Sequence, residues 1–385
     1  MSLRFRSADL SIDLSHALFS SHDIDAGSKL LLKLVGTSVP PASVGTVLDI
    51  GSGTGVLGLA CALGYPGSSV GFRDRDALAC AFTLRNARKN GVQPAFVDHA
   101  LFLDRLGGRE FDLVVCNVPA KAGTPVLDAF MRELPGVLSA RGHGAVVVVN
   151  PIAAAAEASL AASGCETVRV ERGAGHAAIL FRRGSAPALV DPRDPVDRYR
   201  RTPPETATAG PFGYRHAGYW SLPEFDTPSF ATALAGDVLD AALAGLLARR
   251  VAVVNPGSGR LACRLRASTG AAVDACGRDR LALEATAANL VLNGADRPLL
   301  ADRAAGLPPR SYDLVAEYVD LVPLVDATDA SWDAAADLLK SGGSYLAVMP
   351  SANRDRFERR RPARFVRVRD KRHRGWTAGV WRFEP

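Results

Sequence analysis

The sequence predicts an α/β chain of two tandem Rossmann-like units, the second a degenerate copy of the first. Three observations predict it. An apolar strand, Val47 to Ile50, runs into Gly51, Gly53 and Gly55 and then into an apolar helical stretch, Val56 to Leu63. Strand-like and helix-like segments alternate after it, which is the pattern of a doubly wound parallel sheet. The landmarks of the first half then recur in the same order about 200 positions later.

The glycines come first because they set the site. A backbone that must leave a strand, turn sharply and admit a ligand closely cannot carry a Cβ there. Val56 stands where the dinucleotide fingerprint G-x-G-x-x-G wants its third glycine, which disfavours NAD. Next, the short strand Ser69 to Arg73 ends in Asp74, 23 residues after Gly51, where such folds place the carboxylate that accepts ribose hydroxyls. Ala77 to Gly91 has helical spacing and closes on an Asn90-Gly91 cap signal. Ala95 to Val97 leads to Asp98, and the nearly continuous apolar run from Phe111 to Cys116 reads as a central parallel strand delivering Asn117 and Pro119. A helix, a strand from Ala145 to Val149 and a closing hairpin (Thr167 to Val170, Ala177 to Arg182) complete the unit. Ligands of doubly wound sheets bind at the carboxyl ends of the strands, so Asp49, Asp74, Asp98 and Asn117 share one edge.

Residues 185–212 trade apolar periodicity for Pro, Arg, Asp and Gly and read as a linker between units 1–184 and 213–385. In the second unit Gly257 is matched to Gly51 at 206 positions, Asn289 to Asn86 at 203, and Asp313 to Asp112 at 201. His216 and Asp226 are matched to His16 and Asp25. On this alignment Asn255 replaces Asp49, Leu261 replaces Gly55, Gly277 replaces Asp74 and Tyr318 replaces Asn117, with Pro256 and Arg260 disrupting the loop. The second unit is expected to be catalytically silent, a scaffold or substrate-recognition module. Arg198, Arg200, Arg201, Tyr214 and His216 are read as lining a substrate cleft between the two units.

The chain has 385 residues, 22% charged and 48% hydrophobic, which suits a globular protein with sizeable cores. It has no uninterrupted apolar run of 18 residues and no apolar leader after Met1, so neither a membrane span nor a secretory signal is expected, and a cytoplasmic location is the default. Six scattered cysteines without a C-x-x-C pair read as reduced core residues, and no metal site is expected. The net charge of +6 is concentrated: Arg354 to Arg374 holds eleven Arg or Lys against three acids. Such a stripe is a candidate phosphate-contacting surface, although 40 of the 46 basic residues are Arg and the stripe also fits a solvated, Arg-biased face.

An acid followed by G-x-G-x-G, here Asp49 to Gly55, resembles the loop of class I S-adenosylmethionine (SAM) methyltransferases. Asn117-Val-Pro119-Ala120 looks like a variant of the Asn-Pro-Pro-aromatic motif of amino-group methyltransferases. There, an Asn carbonyl and the next backbone carbonyl accept the N–H bonds of a conjugated amine and aim its lone pair. Phe19-Ser20, Asp25, Gly27-Ser28 and Leu30-Leu31 further resemble the entry segment of the tandem-domain ribosomal-RNA guanine-N2 methyltransferase family, over about residues 15–182. The resemblance implies SAM as cofactor, with Phe19, Asp25, Ser28, Asp49, Gly51, Gly53, Gly55, Asp74, Asp98 and Asn117 at its site. It implies Asn117 and Pro119 as the catalytic segment and RNA as partner. Two departures keep alternatives open: Ala120-Lys121 supplies no stacking ring, and the degenerate copy follows the intact one. The same chemistry on a small amine or guanidine metabolite, or a non-catalytic SAM-binding module, are those alternatives.

Overall fold

The computed structural model describes residues 1–18, 23–119, 121–184, 193–209, 212–224, 226–242, 248–320, 322 and 327–385. They form two compact units, Met1–Tyr199 and Arg200–Pro385. Among the described residues no helix is long and apolar enough to cross a membrane.

The first unit opens with a hairpin, β1 (Ser2–Phe5) and β2 (Ala8–Ser11), followed by α1 (Ala26–Ser38). Then come β3 (Thr46–Ile50), α2 (Val56–Gly64), β4 (Ser69–Asp74), α3 (Ala77–Lys89), β5 (Phe96–His99), β6 (Phe111–Asn117), α4 (Thr124–Glu133), β7 (Leu138–Val149), α5 (Asn150–Ala162), β8 (Glu166–Arg172) and β9 (His176–Arg182). The seven-stranded sheet runs β5-β4-β3-β6-β7-β9-β8. Its strands are parallel except β9, which pairs antiparallel with β7 and β8. Central strands are apolar on both faces because both are covered. Val47, Leu113, Val115 and Val147 pack under Leu31, Val35, Leu57 and Cys61 of α1 and α2. Their neighbours Leu48, Val114, Cys116 and Val146 face Leu127, Phe130 and Leu160 of α4 and α5.

The segment read as a linker is structured where it is described. A 3₁₀ turn, Pro195–Tyr199, closes the first unit. Tyr199 stacks on Phe102 at 5.1 Å, and Arg198 pairs with Glu133 at 2.9 Å with both side chains nearly buried. Residues 185–192 and 210–211 of that segment lie outside the described residues.

The second unit repeats the plan. A hairpin, β10 (Glu205–Ala209) and β11 (Phe212–His216), precedes α6 (Phe230–Ala242), β12 (Arg250–Val254), α7 (Arg260–Thr269), β13 (Ala272–Cys276), α8 (Arg280–Leu292), β14 (Leu300–Ala301) and β15 (Tyr312–Tyr318). α9 (Thr328–Leu338), β16 (Leu339–Pro350), α10 (Arg354–Arg359), β17 (Phe365–His373) and β18 (Trp376–Phe383) complete it. Its sheet order, β14-β13-β12-β15-β16-β18-β17, is that of the first unit.

Individual hydrogen bonds are duplicated along with the strands. Asn86 Nδ2 donates to the Thr54 carbonyl at 2.8 Å and Asn289 Nδ2 to that of Ser258 at 2.9 Å. Their Oδ1 atoms accept from Asp13 and Ala217, while Asn90 and Asn293 bind Ser11 and Arg215 in both directions. One buried amide thus joins hairpin, glycine loop and helix in each copy, which explains why these Asn residues recur.

These bonds correct the sequence alignment. Val47 pairs with Leu113 where Val251 pairs with Leu314, so the loop repeats at 204 positions rather than 206. Asn255 stands for Gly51, Gly259 for Gly55, and Val253 for Asp49. The backbone agrees: φ is 71°, 56° and 85° at Gly51, Gly53 and Gly55, and 52°, 58° and 85° at Asn255, Gly257 and Gly259. Neither Pro256 nor Arg260 disrupts the loop. Its shape is kept, because Asn tolerates the left-handed conformation better than other side-chain-bearing residues, and only its chemistry is lost. The same register pairs His216 with Ile12, not His16, and Ser229, not Asp226, with Asp25. His216 and Tyr214 are buried in the second unit.

Candidate active site

Four strand ends build the site of the first unit. Adjacent strands β5, β4, β3 and β6 deliver Asp98, Asp74, Asp49 and Asn117 to their carboxyl ends, as the sequence predicts. The glycine loop between β3 and α2 is stitched to β4, with Gly51 N–H and Ser52 N–H donating to the Arg73 carbonyl at 2.8 and 3.0 Å. A Cβ at Gly51 or Gly53 would meet nothing within 4 Å, so these two positions leave open backbone for a ligand. Gly55 differs. Its Cβ would press on Leu59 at 3.0 Å, so its role is to turn the chain into α2.

Asp74 holds the loop as well as facing the site. Its Oδ2 accepts from Gly53 N–H at 2.9 Å and its Oδ1 from Asp76 N–H at 2.8 Å. Asp49 is only 1% exposed. Its Oδ2 accepts from Gly58 N–H at 2.8 Å, and its Oδ1 is buried with no partner among the described residues. Burial, reinforced by the nearby charge of Asp74 and opposed by Gly58 N–H, pushes the Asp49 carboxyl up to about 7. A positive charge placed above the open glycine backbone would favour the ionised form of this carboxyl. Asp49 lies beneath the loop rather than on an open face.

Asp98 lies beside Arg73 in the β4–β5 register and is half-buried. Arg73 is a residue that sequence reasoning missed. It is buried, donates to the Asp104 carbonyl, and has the charges of Asp98 and Asp104 close by. Its signal was an arginine inside an otherwise apolar strand. Gly58 was missed too: a Cβ there would sit 2.4 Å from Phe72 and 2.8 Å from Asp49 Cβ, so only glycine lets α2 settle over β3.

The entry segment meets β6 at Asn117. Asp25 caps α1, accepting from Gly27 N–H at 2.7 Å and from Ser28 Oγ–H at 2.6 Å. Asn117 Nδ2 donates to Asp25 Oδ2 at 2.8 Å and to Ser28 Oγ at 3.1 Å. Val118 N–H continues the ladder to the Val147 carbonyl at 3.0 Å, and Pro119 is exposed. Phe19 and Ala120 lie outside the described residues. Cys116 and Cys61 lie near this edge as neutral thiols, since burial pushes both upward. Among the described residues no group of three His, Cys, Asp or Glu is placed to hold a metal ion.

Residues 9–173 match the family model for the methyltransferase small domain. The first unit is similar to that family over most of its length. The match supports a methyltransferase domain with SAM as its cofactor. Among curated relatives, the chain is 31% identical over 151 residues to ribosomal RNA small subunit methyltransferase C of Chromohalobacter salexigens. That alignment covers 38% of this chain and 44% of the relative. It is 36% identical over 140 residues to ribosomal protein L11 methyltransferase of Pelotomaculum thermopropionicum, covering 36% and 43%. The chain thus spans less than half of the length of these relatives. The structure of the 16S rRNA N2 methyltransferase of T. thermophilus, in complex with AdoMet and guanosine, matches 100% of this chain and 98% of its own. Its TM-score is 0.70 at 19% identity, a likeness of fold extending over both units.

In the second unit each polar group of this site is replaced. Val253, Gly277, Ala301 and Tyr318 occupy the positions of Asp49, Asp74, Asp98 and Asn117. Tyr318 Oη bonds Thr232 Oγ1 at 2.5 Å, and Thr232 donates to Glu224 at 2.6 Å. Asn255 Nδ2 donates to the Tyr318 carbonyl at 3.0 Å. Arg260, at the place of Val56, is buried near Tyr214 and Tyr318. At this edge the second unit's side chains bond to one another.

Proposed function

We propose that the chain is a SAM-dependent N-methyltransferase whose first unit methylates an exocyclic amine of RNA, guanine N2 of ribosomal RNA, while the second serves recognition or support. The observation that carries this reading is the contrast between copies: Asp49, Asp74, Asp98 and Asn117 meet at one sheet edge, and all four are replaced on the same backbone 200-odd residues later. The names of the small-subunit relative and of the solved structure support the RNA substrate, whereas the L11 relative is named for a protein.

When bound, SAM supplies a methyl group on a sulfonium that leaves as a neutral thioether under in-line attack. The remaining task is placement, where proximity and alignment supply most of the rate. Asp74 and Asp98 would take the ribose and the adenine, and the bare backbone of Gly51 and Gly53 would admit the amino-acid end. Asn117 Oδ1 and the Val118 carbonyl would accept the acceptor's N–H bonds and turn its lone pair toward the methyl. Pro119 stiffens the chain just beyond them.

The basic stripe supports phosphate contact over part of its length. Arg354, Arg360, Arg361, Arg364, Lys371 and Arg372 are paired with acids. Arg367 and Arg369 project from the edge strand β17 without an ion pair among the described residues, beside the exposed Val366 and Val368. The missing ring after Pro119 favours a small amine as second reading. Incubation with methyl-labelled SAM and either ribosomal RNA or a small-molecule extract separates the two: label in RNA supports the proposal, and label only in the small-molecule fraction overturns its acceptor.

A further inference from the structure

We propose that Asp25 and Ser28 are positioning residues that lock the Asn117 amide in one orientation, so that the site admits an acceptor bearing N–H donors and rejects one offering only lone pairs. The inference rests on the methyltransferase reading and assigns these two residues away from cofactor contact.

Hydrogen-bond directions decide the matter. Ionised Asp25 only accepts. Ser28 Oγ–H donates to Asp25 Oδ2, which leaves the Ser28 lone pairs facing Asn117. The Asn117 nitrogen donates toward both Asp25 Oδ2 and Ser28 Oγ, two neighbouring atoms that share one of its N–H bonds, so its carbonyl oxygen is the end turned away from them. A flipped amide would set Oδ1 against a carboxylate with no proton between them, a contact that repels. Gly27 makes the lock possible, because a Cβ there would stand 2.9 Å from Asp25 Oδ1 and 3.0 Å from His176. The D-x-G-S spacing is therefore a device for folding one carboxylate back over a helix start and onto a strand end 92 residues away. In the second unit Tyr318 stands in the place of Asn117 and bonds Thr232, so no amide is present to be oriented.

The test is an exchange of donor and acceptor across the contact. Asp25→Asn keeps a capping oxygen for α1 but presents N–H to Asn117. It should leave SAM affinity within about twofold while lowering kcat on RNA by about a hundredfold, with KM little changed. Adding Asn117→Asp restores complementarity and an accepting oxygen toward the site, and should recover roughly tenfold of that loss. Weakening of SAM by tenfold or more in Asp25→Asn, or an unchanged kcat, would overturn the assignment. If the wild-type chain methylates no RNA, the proposed function fails on its own, and the lock is then read from thermal unfolding. A double variant more stable than the two single changes predict supports it, and strict additivity refutes it.

Discussion

The buried carboxyl of Asp49 should make SAM binding a proton-linked event. Its shift from 3.8 to about 7 comes first from burial. At about 1.4 kcal/mol per pKa unit this is on the order of 4 kcal/mol of differential stability between its two protonation states. The folded state holds this proton more tightly than the unfolded chain, so between about pH 4 and pH 7 it binds more protons. Stability from this group is therefore full below about pH 4, falls as pH rises, and is lost above about pH 7. A cation held over the glycine loop favours the ionised form and expels the proton. With a carboxyl near 7, SAM affinity should rise roughly tenfold between about pH 6 and pH 8. Titration calorimetry near pH 6 in two buffers of different ionisation enthalpy should count close to one proton released. Asp49→Asn should abolish the release and raise thermal stability above neutral pH. Affinity independent of pH, with no proton released by the wild-type chain, would refute the reasoning.

Three further outcomes are expected. Calorimetry should find one SAM site per chain, abolished by Asp74→Ala, which removes the acceptor of Gly53 N–H together with the ribose carboxylate; two equal sites would contradict the silent second unit. Gly58→Ala should lower first-unit stability by about 2 kcal/mol, since overpacking against Phe72 and Asp49 outweighs a helix-propensity gain of about 1 kcal/mol, measurable by chemical denaturation. Arg367→Glu with Arg369→Glu should weaken RNA binding and flatten its dependence on salt; an unchanged slope would remove β17 from the RNA surface.

Much of the first unit was legible because each signal was local. The strand-glycine-helix turn at Asp49 to Val56, the Asn90-Gly91 cap and the apolar run into Asn117 each state their structure within a few residues. The duplication was legible from order, but the register of its loop was not. Asn255 takes the left-handed position of Gly51, so matching glycine to glycine slides the alignment by two residues and makes an intact loop look broken. What the sequence hides is contact across long separations. The bond from Asp25 to Asn117, the pressure of Gly58 on Phe72, and the buried Arg73 beside Asp98 exist only once the sheet brings distant segments together. Local pattern places these residues at the site's edge without saying what they touch.

Methyl transfer measured directly tests the central claim. Ribosomal RNA incubated with the wild-type chain and methyl-labelled SAM, then digested to nucleosides and resolved by mass spectrometry, should yield N2-methylguanosine. Asn117→Ala should bind SAM normally and lose about a hundredfold or more in product. Label on another atom or molecule, or full activity in Asn117→Ala, would contradict the account.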